Sequence, residues 1–187
     1  MAKVYQFMAN GFEDIEALIP VDVLRRGGVD IKTVSITGST MVESAHGVKM
    51  MTDLTFEEAD LSDADLLMLP GGMPGASNLN AHEGVKAALL KQNAKGKRIA
   101  AICAAPLVLG GLGLLRGKQA TCYPGFEQTL EGAEYTADLY TIDGNITTGE
   151  GPAAALPYAY SLLGQLTDDD TAYGVAEGMR FVHLMED

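Results

Sequence analysis

The chain has 187 residues, of which 47% are hydrophobic and 20% are charged, and its formal net charge is −12. This length and composition predict a single globular domain over residues 1–187 and exclude an intrinsically disordered chain. The acidic balance, without a cluster of Lys or Arg, opposes binding to nucleic acid or to an anionic membrane.

The chain has two cysteines, Cys103 and Cys122, which are too few for a disulfide-stabilised secreted scaffold. The first residues do not resemble a hydrophobic signal peptide, so we expect a cytoplasmic location. Residues 99–115 carry no charge, but they include Pro106 and three glycines. This stretch therefore predicts a buried strand followed by a buried helix rather than a membrane span.

In chain order, the first predicted elements are a strand over residues 3–8, a helix over 13–26 that stops at two glycines, and a strand over 31–36. Residues 38–54 predict a short hairpin carried on the main sheet. The uninterrupted apolar run 66–69 is typical of a central parallel strand. A helix over 83–94 and a strand over 98–102 follow.

The second half continues with a predicted helix over 105–115 and a strand over 119–122. Strands over 140–143 and 146–148 are joined by an Asp-Gly turn, and helices over 153–163 and 172–183 close the chain. This alternation predicts an α/β fold with a mostly parallel sheet between helices on both faces. Ligands bind such sheets at the carboxyl ends of the strands, which selects the turns at 10–12, 70–72 and 103–105.

Cys103 stands where a predicted buried strand meets a helix, in a run of small residues that permits a tight turn. This arrangement resembles the nucleophile elbow of hydrolases, and Pro106 suits the first turn of the helix. The positive end of a helix favours a thiolate, so the sequence predicts a lowered pKa for the Cys103 thiol. We interpret Cys103 as a reactive thiol in preference to an inert packing cysteine.

Other polar groups near the selected turns allow two interpretations each. Glu16 belongs to an acidic first helical turn, and its spacing alone favours a surface charge that compensates the helix dipole. Gly71 and Gly72 could present backbone N–H groups to an oxyanion or could form a simple turn. Tyr123 could supply a hydroxyl or only pack. His46, at the predicted hairpin bend, is typical of an exposed and uninvolved histidine.

The sequence predicts neither a metal site nor a cofactor. The three histidines are scattered and there is no Cys-x-x-Cys pair. The glycine-rich motifs that bind nucleotide phosphates are also missing from the sequence.

Four ordered segments together resemble the ThiJ/PfpI superfamily, and in particular its Parkinsonism-associated deglycase branch. They are GFEDIE at 11–16, IPVDVLRRGG at 19–28, LPGG at 69–72 and AAICAAP at 100–106. The resemblance extends over essentially the whole chain. It implies a flavodoxin-like three-layer sandwich, usually a homodimer, with the cysteine on the elbow.

The resemblance also assigns roles within the site. It implies that the carboxyl group of Glu16 forms a hydrogen bond with Cys103, which reverses the surface interpretation of Glu16. It implies that Gly72 and Ala104 are backbone donors around the thiol, and that Gly71 lines the same pocket.

Several positions depart from the family pattern or match it weakly. His46 falls where close relatives carry a basic residue that reaches the pocket across the dimer. Tyr123 replaces a histidine of some relatives, and Glu150 stands where a basic or neutral residue is common. Ala104 replaces the histidine that follows the cysteine in the peptidase branch, which argues against peptidase activity.

The resemblance therefore implies a cysteine-dependent, glutathione-independent glyoxalase or deglycase without a cofactor. The expected partners are methylglyoxal-type 2-oxoaldehydes or their early adducts on proteins. The reaction would be that of a glyoxalase III-like lyase or a protein deglycase. The alternative is an oxidative-stress sensor or chaperone in which Cys103 is oxidised to the sulfinate. A non-catalytic binding domain is a third hypothesis, for which no interaction surface is evident in the sequence.

Overall fold

The computed structural model describes residues 1–185. Its strands are β1 (Lys3–Met8), β2 (Asp30–Ser35), β3 (Met41–Glu43), β4 (Lys49–Met51), β5 (Leu54–Thr55), β6 (Leu66–Leu69), β7 (Arg98–Ile102), β8 (Gln119–Ala120), β9 (Glu134–Tyr135), β10 (Tyr140–Asp143) and β11 (Ile146–Gly149). Its α-helices are α1 (Asp14–Arg26), α2 (Gly75–Ala81), α3 (Glu83–Ala94), α4 (Pro106–Gly111), α5 (Ala155–Leu166) and α6 (Asp169–Gly178). Short 3₁₀ segments are Glu127–Thr129, Pro152–Ala154 and Val182–Met185.

Seven strands form the main sheet in the order β10-β11-β7-β6-β1-β2-β5. The neighbouring pairs run parallel except for β10 and β11, which form an antiparallel hairpin at one edge. The crossover from β1 to β2 through α1 and the crossover from β6 to β7 through α3 run in opposite directions along the sheet. Because such crossovers are right-handed, α1 and α3 cover opposite faces. The predicted flavodoxin-like α/β fold is confirmed.

The central strands explain why the sheet forms. All four residues of β6 are buried, as are all residues of β7 after Arg98. A strand covered on both faces needs apolar side chains at every position, and the run at 66–69 supplies them. Consequently β6 and β7 end together in the interior, and their carboxyl ends carry the turns at 70–72 and 103–105.

The hairpin predicted over residues 38–54 is a separate two-stranded sheet of β3 and β4, and it is not carried on the main sheet. Of this segment only Leu54 joins the main sheet, as the first residue of β5 beside β2. In β3, Val42 is the buried residue, and it packs with Met8, Phe12 and Ala17. The hairpin therefore lies over the beginning of α1.

Helix and strand lengths differ from the predictions after residue 104. The helix predicted over 105–115 is the six-residue α4, which ends where glycines and a positive φ of 71° at Gly113 interrupt it. The strand predicted over 119–122 is shortened to β8, which pairs with β9 outside the main sheet. The last predicted helix begins earlier, because the Asp168 side chain caps α6.

Among the residues described, no helix combines the length and the hydrophobicity needed to span a membrane.

Candidate active site

Cys103 follows β7 directly and has a φ of 65°, in the left-handed region that side chains other than glycine rarely adopt. Its backbone N–H donates to the carbonyl oxygen of Gly149 at 2.9 Å, and its own carbonyl oxygen accepts from the N–H of Tyr123 at 2.9 Å. Hydrogen bonds on both sides of the residue therefore hold the strained turn. The residue is 8% exposed, so its sulfur lies at the bottom of the site.

Glu16 extends from the first turn of α1 to this sulfur and is 1% exposed. Its Oε2 accepts a hydrogen bond from the N–H of Gly71 at 3.0 Å, and the carboxyl group also forms a hydrogen bond with Cys103. The backbone of Glu16 is fixed separately, since its N–H donates to Oε2 of the capping residue Glu13 at 2.8 Å. This capping hydrogen bond fixes the first turn of α1, from which the carboxyl group of Glu16 points into the interior.

Burial raises the pKa of the Glu16 carboxyl from its ordinary value of 4.5 to about 7. The hydrogen bonds from Cys103 and Gly71 favour the carboxylate and limit the rise, whereas the charge of Glu13 adds to it. Glu16 can therefore gain and lose a proton near neutral pH, as a residue that moves protons in catalysis must do.

Burial also raises the pKa of the Cys103 thiol, to about 12, and the charge and hydrogen bond of Glu16 act in the same direction. The predicted lowering of this pKa is therefore wrong. The helix after the elbow has only six residues and contributes little dipole, while the adjacent acid is buried and can be ionised. The N–H groups of Gly72 and Ala104 donate toward the sulfur and partly oppose the rise.

The turn after β6 approaches the thiol so closely that it has no room for side chains. A Cβ on Gly71 would lie 2.5 Å from Oε2 of Glu16 and 2.6 Å from Cβ of Cys103. Gly72 has a φ of 86°, and a Cβ there would lie 2.7 Å from the carbonyl oxygen of Gly11. The two glycines therefore let bare backbone N–H groups reach the side chains of Glu16 and Cys103.

A cavity of about 240 Å³ adjoins the elbow. Its lining residues are Tyr123, Pro124, Glu150, Gly151, Pro152, Ala153 and Ala154. The side chain of Tyr123 is 46% exposed. Tyr123 thus lines this cavity and lies on the segment that also binds the backbone of Cys103.

His46 lies apart from the sulfur and is paired with Asp14, whose Oδ2 is 2.6 Å from its Nδ1. This hydrogen bond and the charge of Asp14 raise the pKa of the exposed imidazole. Among residues 1–185, Glu13, Asp14 and His46 form the only cluster with metal-ligand atoms within 4.8 Å of one another. Two of its oxygens already accept hydrogen bonds, from the N–H of Glu16 and from His46.

Tyr158, on α5, is a neighbour of the site that sequence reasoning did not single out. It is fully buried, and its hydroxyl and Oε1 of Glu16 both lack a hydrogen-bond partner. Burial, and then the charge of Glu16, raise the pKa of the phenol. In the sequence Tyr158 is one of two tyrosines in an apolar helix, so no local signal distinguishes it from a packing residue.

Cys122 is the second free thiol and is completely buried. Burial, followed by the charge of Glu127, raises its pKa to about 11. Because its side chain is sealed from solvent, Cys122 is interpreted as a packing residue.

The sequence and the fold are similar to those of known proteins. The family model described as the DJ-1/PfpI family matches residues 2–165. The chain is 39% identical over 176 residues to Protein DJ-1 homolog B of Arabidopsis thaliana, which covers 93% of this chain and 40% of that protein. The chain thus spans about two fifths of the length of the two Arabidopsis relatives that it matches.

Shorter relatives match over nearly their full length. A deglycase of Pyrococcus horikoshii is 32% identical over 153 residues, which cover 81% of this chain and 91% of that protein. The solved structure of oxidised Toxoplasma gondii DJ-1 has a TM-score of 0.92 and 32% sequence identity, covering 96% of this chain and 98% of that chain. With its cysteine elbow, its buried glutamate and these similarities, the chain belongs to the DJ-1/PfpI family.

Proposed function

We propose that the chain is a cysteine-dependent, glutathione-independent glyoxalase or protein deglycase that acts on 2-oxoaldehydes or on their early adducts. The observation that supports this proposal is the hydrogen bond between the Cys103 thiol and the buried carboxyl group of Glu16, at a strained turn. The match to relatives named as deglycases supports the same chemistry.

The first step would use Glu16 as a general base. Because the thiol is protonated at neutral pH and bonded to the carboxylate, Glu16 would accept the S–H proton as the sulfur attacks the aldehyde carbon. A C–S bond forms, the carbonyl π bond breaks, and the oxygen gains a proton to give a hemithioacetal. The N–H groups of Gly72 and Ala104 would stabilise the transient oxyanion.

The second step would move a proton between neighbouring carbons. Glu16 would remove the proton from the carbon bound to sulfur and return a proton to the adjacent carbon, which converts the hemithioacetal into a thioester. Water would then cleave the C–S bond and release a 2-hydroxy acid and the free thiol. The aldehyde carbon is oxidised and the ketone carbon is reduced, so the reaction needs no external oxidant.

The deglycase reaction would share these atoms. In an early adduct, the former aldehyde carbon carries a hydroxyl group and a protein nitrogen. The sulfur would displace that nitrogen, so that a C–S bond forms, a C–N bond breaks, and the amine or guanidine leaves with a proton. The same hemithioacetal results, and the subsequent steps are unchanged.

The test is lactate formation from methylglyoxal by the wild type, Cys103→Ser, Glu16→Gln and Cys122→Ser. We expect each of the first two variants to lose about 100-fold or more of the rate, and Cys122→Ser to retain it. Full turnover by Cys103→Ser would refute the proposal, since no other described thiol reaches the site.

A redox-sensing role is a second candidate, favoured by the oxidised form in which the Toxoplasma gondii relative was solved. A protonated Glu16 could donate a hydrogen bond to a sulfinate at Cys103. Intact mass after mild peroxide separates the two functions. Selective gain of two oxygens on Cys103, with negligible aldehyde turnover, would favour the sensor.

We also propose a homodimer formed through the β3–β4 hairpin and α1. Ile15, Leu18, Val48 and Met51 are between 43% and 60% exposed on these elements. The hairpin and the beginning of α1 are adjacent, since the N–H of Gly11 donates to the carbonyl oxygen of Glu43 at 2.8 Å. Exposed apolar side chains grouped in this way favour burial against a second copy.

We further propose a cytoplasmic location, because both cysteines are free and the proposed chemistry needs a reduced thiol. Cell fractionation with an antibody to the chain would test it.

A further inference from the structure

The cavity beside the elbow has a single charged residue in its lining, Glu150. Glu150 directly follows Gly149, whose carbonyl oxygen accepts the N–H of Cys103. A second lining residue, Tyr123, donates its N–H to the carbonyl oxygen of Cys103. Both lining segments are therefore fixed to the backbone of the proposed nucleophile.

The aromatic ring of Tyr123 lies against the backbone next to Glu150. A Cβ on Gly151 would be 3.1 Å from Cδ2 of this ring, so a residue with a side chain would crowd it. A carboxylate and an exposed aromatic ring thus border one cavity, with a glycine between them.

Among residues 1–185, no ion pair neutralises the negative charge beside this cavity. The N–H of Gly125, which follows Pro124 of the cavity lining, donates to Oε1 of Glu127 at 2.9 Å, so this carboxylate lies on the same loop as the cavity. Within the part of the chain that the structure describes, the ion pairs involve neither Glu127 nor Glu150.

We propose that Tyr123 and Glu150 form a cation subsite that makes the enzyme prefer positively charged substrates, in particular 2-oxoaldehyde adducts of a guanidinium group, over anionic aldehydes. A guanidinium group pairs with a carboxylate and stacks on an aromatic face, and this cavity offers both. The substrate class rests on the proposed function, whereas the charge preference of the cavity is a property of these two residues alone.

The subsite matches the proposed displacement step. When the adduct carbon reaches the sulfur, the nitrogen that leaves is part of the guanidine, and a cavity beside the elbow would hold that group. An anionic aldehyde such as glyoxylate would instead bring its carboxylate toward Glu150, and like charges repel.

The first experiment measures the cavity without turnover. The rate at which Cys103 is labelled is followed by peptide mass spectrometry with methanethiosulfonates that carry a trimethylammonium group, a sulfonate or no charge. We expect the cation-to-anion rate ratio to fall about fivefold in Glu150→Gln, because one unit charge acts with opposite sign on the two probes. Glu150→Asp should keep most of the wild-type ratio.

The matched control is Glu57→Gln, which removes the same charge from an exposed position after β5, at the opposite edge of the sheet. It should leave the ratio unchanged. An unchanged ratio in Glu150→Gln, or an equal fall in Glu57→Gln, would overturn the proposal, since the preference would then be absent or would arise from net charge.

The second experiment measures turnover of neutral methylglyoxal and of the methylglyoxal adduct of N-acetylargininamide, which carries a guanidinium group. We expect Glu150→Gln and Tyr123→Ala to lower the ratio of kcat/KM for the adduct to kcat/KM for methylglyoxal about fivefold or more. Equal losses for both substrates would overturn the subsite. If the wild type converts neither substrate, the proposed function fails, and the labelling ratios still decide whether the cation subsite exists.

Discussion

Glu16→Gln replaces a buried acid with a neutral residue of the same shape. It should remove the part of the pH dependence of stability that comes from residue 16. Folding raises the pKa of Glu16 from 4.5 to about 7, so the folded chain binds a proton that the unfolded chain has already released. The stability that this proton contributes is complete below pH 4.5 and is lost as the pH rises through 7. At about 1.4 kcal/mol for each pKa unit, wild type should lose about 2.5 kcal/mol relative to Glu16→Gln between pH 5 and pH 8.

The assay is urea unfolding of wild type and Glu16→Gln at several values between pH 5 and pH 8. The difference between the two unfolding free energies isolates residue 16, because the other titrating groups are common to both proteins. Glu57→Gln, which alters an exposed carboxylate, should track the wild type across this range. A difference between Glu16→Gln and wild type that does not change with pH would mean that Glu16 is not a buried acid, and the proposed proton transfer would fail with it.

Three further outcomes follow from the geometry. Turnover of methylglyoxal should rise with pH through about 7, because Glu16 must be ionised to accept the thiol proton, and a flat profile would contradict this role. Gly72→Ala should lower the free energy of unfolding, measured in urea, by about 3 kcal/mol or more. Gly28 has a similar φ of 77° but open space around it, so Gly28→Ala should lower it by about 1 kcal/mol. Equal losses would contradict the crowding at Gly72. Leu18→Glu with Met51→Glu should halve the mass measured by light scattering, and a wild type that is already monomeric would refute the dimer.

The strands of the main sheet were predictable because burial leaves a direct trace in the sequence. The apolar run at 66–69 and the strand before Cys103 could be placed without a structure, since each needs apolar residues at every position. The helix Gly75–Ala81 was missed, because its residues Gly, Ala, Ser and Asn are equally typical of a turn. Tertiary packing decides such short elements.

The residues of the site could be named from the sequence, but their electrostatics could not. The spacing of Glu16 is that of a surface charge, and only the family resemblance indicated that it reaches Cys103. The direction of the Cys103 pKa depends on how deeply the sulfur lies and on how close a second acid comes to it. Neither quantity is local, so the position of Cys103 at a helix terminus predicts the wrong direction for the pKa of its thiol.

The left-handed backbone at Cys103 bears on how the two cysteines of this chain are expected to vary among relatives. Glycine would occupy that conformation at about 1 kcal/mol less cost. Selection for stability alone would therefore favour glycine over cysteine at position 103. Cys122 is under no such conformational constraint, and a residue of similar size could replace it. Substitution at position 103 should therefore coincide with loss of activity, whereas position 122 should drift freely among small apolar residues.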